Sequence, residues 1–381
     1  MKQNGKSGNK ITMAFNNVFE GKKIIVTGNT GFKGSWLSAW LVQLGAHITG
    51  ISKDIPTEPS LFEHMGLAGK MDHHFANICD GLAMKAIFTA VQPDFVFHLA
   101  AQPIVSVSYD DPVDTFQTNV IGTANILEAL RAVEHPCTAV MITSDKCYDN
   151  VEWVWGYREH DALGGKDPYS ASKGAAELVI KTYFHSYFNK PESLVKLVTV
   201  RAGNVIGGGD WALNRIVPDC VRAWSENKAV TIRNPNATRP WQHVLEPLSG
   251  YLRAAQCLYE GREGINGEPF NFGPNADQNH SVLDLLKTIS THWSFQQNNE
   301  HFAIENSNRF HEAGLLKLNC DKALFHLQWR PVLEFPQTSS FTGSWYNAFY
   351  NVAGSDMYSF TLQQIHEYAQ QAKQKAIAWA E

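Results

Sequence analysis

One stretch near the start of the chain, residues 21–54, constrains the fold more than any other. A β-branched run from Ile24 to Thr27 is followed by Gly28, Gly31 and Gly34, and then by residues with helical periodicity. A strand, a glycine turn and a helix in this order are typical of the first unit of a doubly wound parallel sheet. Because the N-terminus of such a helix binds phosphate groups, the stretch predicts a dinucleotide site.

Each glycine has an expected role in this turn. Gly28 would allow the tight turn, Gly31 would let the backbone approach a pyrophosphate, and Gly34 would let the helix pack on the strand. The acidic residue that commonly holds the adenosine ribose is replaced by Ser52, which is followed by Lys53. The turn therefore leaves the choice between NAD and NADP open. An ordinary strand-to-helix turn is the alternative interpretation, and the surrounding pattern favours nucleotide binding.

Strands and helices alternate after this unit. We expect a third strand to end over Phe75 to Asp80, further strands over Asp94 to Leu99 and Thr138 to Thr143, and a helix over Thr118 to Glu134. This alternation predicts an α/β fold with a doubly wound parallel (Rossmann) sheet, and ligands that bind at the carboxyl ends of its strands. The further residues that we expect to contact the cofactor are Thr30, Phe32, Ser52, Asn77, Ile78, Leu99, Ala100 and Ala101.

The length of the chain, 381 residues, suggests a large domain and a smaller one. We expect residues 1–19 to be disordered and residues 20–203 to form the dinucleotide-binding domain, with a later contribution around residues 229–258. Residues 204–381 would form mainly a mixed α/β substrate-binding domain. The last part of the chain, from Asp356, has the pattern of one terminal helix.

Composition excludes several classes of function. A net charge of −5 and a pI near 6.3 give no basic surface for nucleic acid or an anionic membrane. No apolar run reaches the roughly 18 residues that a membrane span needs. The six cysteines lack a paired spacing and the histidines lack a metal-binding motif, so we expect reduced thiols, a cytoplasmic protein and no metal.

A second group of residues suggests catalysis. Ser144, Asp145 and Lys146 follow the strand that ends at Thr143, and a helix then opens with Tyr169 and Lys173 on one face. A phenol ionises near pH 10 (roughly), and a neighbouring ammonium favours the phenolate. Tyr169 could therefore remove a proton from a sugar hydroxyl that Ser144 bonds, while Lys173 also reaches the cofactor ribose. An isolated pair of this kind is usually an ordinary helix surface, but its combination with the glycine turn favours catalysis.

Longer segments carry a family resemblance. They are TGNTGFKGSWL (Thr27 to Leu37), TSDKCY (Thr143 to Tyr148), WVWGYRE (Trp153 to Glu159), DPYSASKGAAE (Asp167 to Glu177), RAGNVIGGGDWALNRIVPD (Arg201 to Asp219), RNPNATRPWQHVLEPLSGYL (Arg233 to Leu252) and FNFGP (Phe270 to Pro274). With these segments the chain resembles the extended short-chain dehydrogenase/reductases and, more narrowly, the CDP-glucose 4,6-dehydratase family of nucleotide-sugar dehydratases.

The resemblance implies a CDP-glucose substrate, a tightly held NAD and a homodimer. It implies oxidation at C4, loss of water across C5 and C6, and return of the hydride to C6. In the similar dTDP-glucose dehydratases an Asp-Glu pair protonates the C6 hydroxyl and removes the C5 proton, whereas this chain has Asp145 and Lys146. A lysine can act as a base only when its pKa is depressed; otherwise Lys146 would be a fixed positive charge on the enolate.

The candidate substrate contacts are Gln102, Asn204, Arg215 and Arg239. Arginine suits a diphosphate because its planar fork makes paired, charge-assisted hydrogen bonds. Three alternatives stay open: a nucleotide-sugar C4 epimerase or reductase, a dehydratase of a dTDP- or GDP-hexose, and a non-catalytic nucleotide-binding protein. The pair Asp145 and Lys146 counts against an epimerase, because family epimerases carry small, non-ionisable residues there.

Overall fold

The computed structural model describes residues 14–232, 234–293, 295, 302–304 and 315–381. The strands, in chain order, are β1 (Lys23–Thr27), β2 (His47–Ser52), β3 (Asp72–Phe75), β4 (Phe95–His98), β5 (Cys137–Ile142), β6 (Val195–Ala202), β7 (Val205–Ile206), β8 (Val230–Ile232), β9 (Thr238–Arg239), β10 (Gln242–His243), β11 (Pro269–Phe272), β12 (His280–Ser281) and β13 (Phe302–Ile304).

The helices, in chain order, are α1 (Phe32–Gln43), α2 (Leu61–His64), α3 (Gly81–Val91), α4 (Val105–Asp110), α5 (Pro112–Phe116), α6 (Gly122–Leu130), α7 (Pro168–Tyr183), α8 (Ile216–Ser225), α9 (Leu245–Tyr259), α10 (Val282–Ser290), α11 (Asp321–Leu327), α12 (Phe335–Asn351) and α13 (Met357–Gln374). A π-helical turn, Gln117–Ile121, joins α5 to α6 without a break. None of the helices in the described ranges is both long enough and apolar enough to cross a membrane.

The main sheet has seven parallel strands in the order β11-β6-β5-β4-β1-β2-β3. The predicted doubly wound parallel sheet is therefore confirmed. The chain leaves β1 for β2 on one side and later returns to place β4 on the other side. The connections at the carboxyl ends of β1 and β4 consequently diverge, and a crevice for a ligand opens between them.

Apolar side chains cover both faces of this sheet. Ile24 and Val26 face a core that contains Trp36 and Trp40 of α1, whereas Ile25 faces a second core with helices α3, α6 and α7. Because alternate residues of a strand point to opposite faces, such near-continuous apolar strands are buried on both sides. The sheet edge at the carboxyl ends is thus the place where polar groups gather.

Helices from the second half of the chain pack against the sheet and against α1. Helix α9 packs on the sheet, where the Tyr251 ring meets Phe272 of β11 at a centroid distance of 5.9 Å. The expected terminal helix is confirmed as α13, which Asp356 caps. This helix and the segment after it cover α1, because Trp40 packs against Tyr368 of α13 and against Trp379 with centroid distances of 5.9 Å each.

The expected disorder of residues 1–19 is wrong for residues 14–19, and residues 1–13 lie outside the described residues. Ala14–Asn17 form a turn in which Phe15 and Asn16 have positive φ angles of 56° and 52°, and both Phe15 and Phe19 are buried. The Phe15 ring stacks on Trp379 at 4.9 Å, and the Phe15 N–H donates to the Trp379 carbonyl oxygen at 2.7 Å. Two buried aromatic rings in a polar segment provide enough apolar contact to order it.

A carboxyl group buried away from the crevice holds the connection that follows α11. Glu246 of α9 accepts the backbone N–H groups of Val332 and Leu333, and it also accepts the Tyr368 hydroxyl. Burial raises the pKa of Glu246 to about 7, although these hydrogen bonds oppose the rise. The folded protein therefore binds this proton more tightly than the unfolded chain does. This contribution to stability is complete below the unfolded value of 4.5 and is lost as the pH rises through about 7.

We expect Glu246→Gln to remove this pH dependence, because the amide keeps an acceptor for the two N–H groups and never ionises. Between pH 4.5 and pH 7 the free energy of unfolding of the wild type should fall, relative to that of the variant, by up to roughly 3 kcal/mol. Urea unfolding of both proteins across this range measures the difference. Parallel pH profiles would show that Glu246 is not protonated in the folded state.

Candidate active site

The glycine turn after β1 is packed too tightly for side chains at two of its glycines. Gly28 has a φ of +75°, and a Cβ there would lie 2.8 Å from the backbone nitrogen of Ala100. A Cβ on Gly34 would lie 2.1 Å from the Gly28 carbonyl oxygen, so the first turn of α1 rests on the loop. No side chain of the described residues caps α1 at Gly31. The free N–H groups and the helix dipole at this end suit a phosphate.

The Ser52 hydroxyl is bonded within this turn. Its Oγ donates to Asn29 Oδ1 (2.8 Å) and accepts the Thr30 N–H (3.3 Å). Thr30 Oγ1 in turn donates to the carbonyl oxygen of Asp54 at 2.7 Å. Ser52 therefore fixes the shape of the turn at the position where a ribose-binding carboxylate is common. Sequence reasoning missed Asn29, whose buried side chain finds its partner only when β1 and β2 lie side by side.

Asn77 and Ile78 lie in a turn and not in a strand, because β3 ends at Phe75 and Asp80 caps α3. The expectation that the third strand extends to residue 80 is thus wrong. Asn77 is exposed, whereas Ile78 is buried against Gly122 of α6, where a Cβ would lie 2.5 Å from the Ile78 side chain. Ile78 accordingly offers an apolar wall at the β2–β3 side of the crevice.

The backbone after β4 is held close to the glycine turn. Thr27 Oγ1 accepts the N–H groups of both Leu99 and Ala100 at 3.1 Å. Leu99, Ala100 and Ala101 are half-buried, and Ala100 lies against Gly28 as described above. The structure therefore brings these three predicted cofactor contacts to the edge of the glycine turn.

Gln102 has its amide engaged in the loop. Its Nε2 donates to Thr115 Oγ1 (2.8 Å), and its Oε1 accepts the Ile104 N–H (2.6 Å). The Asn119 side chain bonds both the N–H and the carbonyl oxygen of Gln102, and it also donates to Ser172 Oγ at 2.8 Å. These bonds tie the loop after β4 to helix α7. The side chain of Gln102 thus shapes the loop, and its contact with a substrate stays a prediction.

Tyr169 and Lys173 lie on the face of α7 that turns toward the end of β5. Both are buried, and Lys173 Nζ is 6.0 Å from the centroid of the Tyr169 ring. Burial raises the pKa of Tyr169 to about 12, while a hydrogen bond with Ser144 acts in the opposite direction. Burial also lowers the pKa of Lys173 to about 8. The predicted phenol, lysine and serine therefore form one group.

The segment after β5 adds a carboxylate to this group. Asp145–Cys147 form a 3-10 turn that Ser144 caps. Ser144 Oγ donates to Asp145 Oδ1 (3.0 Å) and accepts the Lys146 N–H (3.2 Å). A Cβ on Gly203 would lie 1.8 Å from Asp145 Oδ2, so the carboxylate rests on the backbone that follows β6. Asp145 is buried, and Lys146 is half-buried beside it.

A buried ion pair lies beneath these residues. Arg201 of β6 donates from Nε and Nη2 to the two Glu177 oxygens at 2.8 and 2.9 Å. Glu177 also accepts the Thr143 hydroxyl, and Arg201 Nη1 donates to the Tyr148 hydroxyl at 2.7 Å. Sequence reasoning missed this cluster. One local pattern could have indicated it: Glu177 follows Lys173 by one helical turn and therefore lies on the same face of α7 as Tyr169 and Lys173.

Two further cationic side chains, Lys33 and Arg215, lie in the same part of the site as Asp145. Lys33 lies on the first turn of α1, and burial lowers its pKa to about 8. The positive charge of Arg215 lowers this pKa further, whereas the negative charge of Asp145 raises it. Arg215 Nη1 donates to Asp210 Oδ2 at 2.8 Å, and this carboxylate raises the pKa of Arg215. Sequence reasoning predicted Arg215 but missed Lys33, although it predicted the adjacent Phe32 as a cofactor contact.

The remaining predicted residues surround the crevice. Asn204 follows β6 with a φ of +52° and lines a small cavity together with Asp145. Arg239 lies on β9, where its Nη1 donates to the Thr238 carbonyl oxygen at 2.9 Å. Phe32 is half-buried at the start of α1. In the described ranges, no group of three or more His, Cys, Asp and Glu side chains could hold a metal ion.

Comparisons with known proteins agree with this geometry. The family model described as GDP-mannose 4,6 dehydratase matches residues 25–340. The chain is similar to a CDP-glucose 4,6-dehydratase of Salmonella typhimurium, with 45% identity over 92% of this chain and 97% of the relative.

Solved structures show the same fold at lower identity. An epimerase from Methanothermobacter thermautotrophicus has a TM-score of 0.74 and 21% identity, over 88% of this chain and 95% of the other. A dTDP-glucose 4,6-dehydratase from Streptomyces venezuelae, solved with NAD bound, has a TM-score of 0.70 and 20% identity, over 85% and 97% of the two chains. Because the family model spans most of the chain and the Salmonella relative aligns with nearly all of it, the chain belongs to the GDP-mannose 4,6 dehydratase family of nucleotide-sugar dehydratases.

Proposed function

We propose that the protein converts CDP-D-glucose to CDP-4-dehydro-6-deoxy-D-glucose with NAD as a cofactor that is regenerated in each turnover. The observation that carries this proposal is the meeting of the buried Tyr169 phenol and the Asp145 carboxylate beside Ser144, which donates to Asp145 and lowers the pKa of Tyr169. Oxidation at C4 needs the phenol, and elimination of the C6 hydroxyl needs the acid. The choice of CDP follows the Salmonella relative, which is 45% identical.

The crevice between β1 and β4 fits a dinucleotide. A Cβ at Gly28 would fill the space against Ala100, and the N-terminus of α1 presents free N–H groups to a pyrophosphate. Lys173 would bond the hydroxyls of the nicotinamide ribose. NAD, when bound, accepts the hydride from C4 and later returns it to C6. No carboxylate stands at Ser52, so the loop would hold the adenosine ribose without one.

In the oxidation step, Tyr169 removes the proton of the C4 hydroxyl while Ser144 holds that oxygen. A phenol with a pKa of about 12 is a weak base near neutral pH, because most of it is protonated. Arg215 lowers this pKa, and a further cation beside the ring would favour the phenolate in the same way. The protonated form of Lys173 is therefore the form that assists Tyr169.

In the elimination step, Asp145 donates a proton to the C6 oxygen as the C6–O bond breaks. The C4 keto group acidifies the C5 proton, which makes its removal feasible. Lys146 follows Asp145 directly and serves C5 either as the base or as a fixed positive charge on the enolate. An epimerase or a reductase would need Tyr169 but no acid at C6.

We also propose a homodimer in the cytoplasm. The outward faces of the α5–α6 helix and of α7 expose Val113, Phe116, Ile121 and Leu178, which lie on neighbouring helices. A second copy of the same two helices would cover this apolar surface. The six cysteines are free thiols, as expected for a reducing compartment. Sedimentation of the purified protein measures the association, and a monomer would contradict it.

The substrate assignment is tested with purified protein and two nucleotide sugars. Incubation with CDP-glucose should give a 4-keto-6-deoxy product without net release of NADH, because the hydride leaves and returns within one turnover. Mass spectrometry and absorbance of the reduced cofactor measure the two outcomes. Turnover of dTDP-glucose alone would refute the choice of base, and stoichiometric release of NADH would indicate a simple dehydrogenase.

The two half-reactions should separate in variants of the two proposed acid/base groups. Asp145→Asn should still oxidise C4 but stall before water leaves, so that reduced cofactor accumulates on the protein. Tyr169→Phe should fail earlier, with C4 oxidation slower by roughly 10²- to 10⁴-fold. Stopped-flow absorbance and analysis of the trapped sugar measure both steps.

Gly203→Ala is a matched variant for this experiment, because the added Cβ would displace the Asp145 carboxylate without removing it. We expect it to behave like Asp145→Asn. Normal elimination in both variants would place the acid elsewhere in the site.

Exchange of the C5 proton with deuterated solvent distinguishes the two roles of Lys146. If Lys146 is the base, Lys146→Met should lose both exchange and product, because nothing else removes the proton. If Lys146 is a fixed charge, exchange should slow but persist, since only transition-state stabilisation is lost. Wild-type exchange and turnover in the variant would remove Lys146 from the elimination step.

A further inference from the structure

His98 is a buried histidine that the proposed mechanism does not use. It ends β4 and is 3% exposed. Its Nδ1 is 2.8 Å from Thr27 Oγ1 of β1, and its Nε2 is 3.1 Å from Thr123 Oγ1 of α6. Burial lowers the pKa of His98 to about 3, and the charge of Lys173 lowers it further. The ring is therefore neutral near pH 7 (roughly), with a hydrogen on one nitrogen and an acceptor on the other.

The Thr27 hydroxyl identifies Nδ1 as the acceptor. Thr27 Oγ1 accepts the N–H groups of Leu99 and Ala100, which uses both of its lone pairs. Its own hydrogen is therefore donated to His98 Nδ1. The imidazole thus orients a hydroxyl that holds the backbone after β4 against Gly28, where a Cβ would lie 2.8 Å from the Ala100 nitrogen. This is the backbone that we expect to contact the cofactor.

The Thr123 hydroxyl identifies Nε2 as the nitrogen that carries the hydrogen. Thr123 Oγ1 donates to the Asn119 carbonyl oxygen in the π-helical turn at 2.7 Å, so it accepts from His98 Nε2–H. Asn119 Nδ2 donates to Ser172 Oγ (2.8 Å), and Ser172 Oγ donates to the Tyr169 carbonyl oxygen (2.7 Å). A series of buried hydrogen bonds therefore joins the imidazole to the first turns of α7.

We propose that His98 is a positioning residue that holds the backbone after β4 and helix α7 at a fixed separation, with a different nitrogen for each. Nδ1 keeps the backbone of Leu99 and Ala100 in place for the cofactor, and Nε2–H keeps α7 in place for the chemistry of Tyr169. Retention of the cofactor then depends on the acceptor, whereas C4 oxidation depends on the donor. The second half of this inference rests on the proposed function. A residue that only filled the core would affect both properties together.

Two amide substitutions each keep one of the two nitrogen positions, because the asparagine Oδ1 lies near the place of Nδ1 and the glutamine Nε2 near that of Nε2. We expect His98→Asn to release NAD within about 3-fold of the wild-type rate but to oxidise C4 at least roughly 10-fold more slowly, since a small displacement of the base is costly. His98→Gln should show the reverse, with release at least roughly 10-fold faster and oxidation at saturating NAD within about 3-fold. Exchange of bound NAD with isotopically labelled NAD measures release in the absence of substrate. Stopped-flow absorbance after addition of CDP-glucose measures the oxidation.

Thr123→Val breaks the same link as His98→Asn and leaves the imidazole in place, so the test does not depend on the folding of variants at position 98. We expect C4 oxidation to slow at least roughly 10-fold while NAD release stays within about 3-fold of wild type. The double variant of His98→Asn and Thr123→Val should be no slower than the slower single variant, because both changes remove one link.

Each result supports or overturns the inference. Equal changes of release and oxidation in every variant would show that His98 only supports the core, and so would additive losses in the double variant. Wild-type oxidation in Thr123→Val would overturn the role of Nε2. If wild-type protein makes no 4-keto product from CDP-glucose, the proposed function itself fails, but the release rates still decide the role of Nδ1. Faster release of NAD from His98→Asn, or unchanged release from His98→Gln, would overturn that role.

Discussion

The ion pair between Arg201 and Glu177 is the interaction on which the rest of the site depends. The pair is buried, and the Arg201 guanidinium donates to both Glu177 carboxylate oxygens and to the Tyr148 hydroxyl. Glu177 lies on the helix that carries Tyr169, while Thr143, which it also bonds, follows β5 and directly precedes Ser144. The pair therefore fixes the segments that carry Tyr169 and Ser144 relative to each other. Removing one partner of such a pair commonly costs about 3–5 kcal/mol, because the other charge stays buried alone.

The same cluster reaches the other side of the crevice. Arg201 precedes Gly203 on β6, so the backbone that supports the Asp145 carboxylate starts from a fixed point. Asn271 of β11 accepts the Tyr148 hydroxyl at Oδ1, and its backbone N–H donates to Glu159 Oε1. A polar network of this kind is stable only when every member has a partner, and in this one the partners come from strands, helix and loop. Its rigidity fixes Tyr169 and Asp145 relative to each other, as the proposed steps at C4 and C6 of one sugar would require.

The parts of the site that could be predicted from sequence are those whose residues are close in the chain. The glycine turn, the pair Tyr169 and Lys173, and the run Ser144 to Lys146 each have a fixed local geometry, so their spacing was informative. His98, Asn29 and Arg201 find their partners only across strands that are distant in sequence, and no local pattern indicates such pairs. Ser52 and Gln102 were placed correctly at strand ends, but the direction of their side chains depends on neighbours that a sequence does not show. Residues 14–19 were judged by average polarity, which conceals Phe15 and Phe19.

The covering of α1 by α13 has a consequence for synthesis of the chain. Trp36 and Trp40 belong to the first helix of the sheet, and besides Phe15 the rings that pack on Trp40 are those of Tyr368 and Trp379. The first strand and helix to leave the ribosome therefore carry an apolar face that stays open until α13 has been made. During that time this face can associate with other apolar surfaces, which is the usual origin of aggregation in large α/β proteins. The early βα unit, and not the later half of the chain, is thus where assistance by a chaperone would matter most.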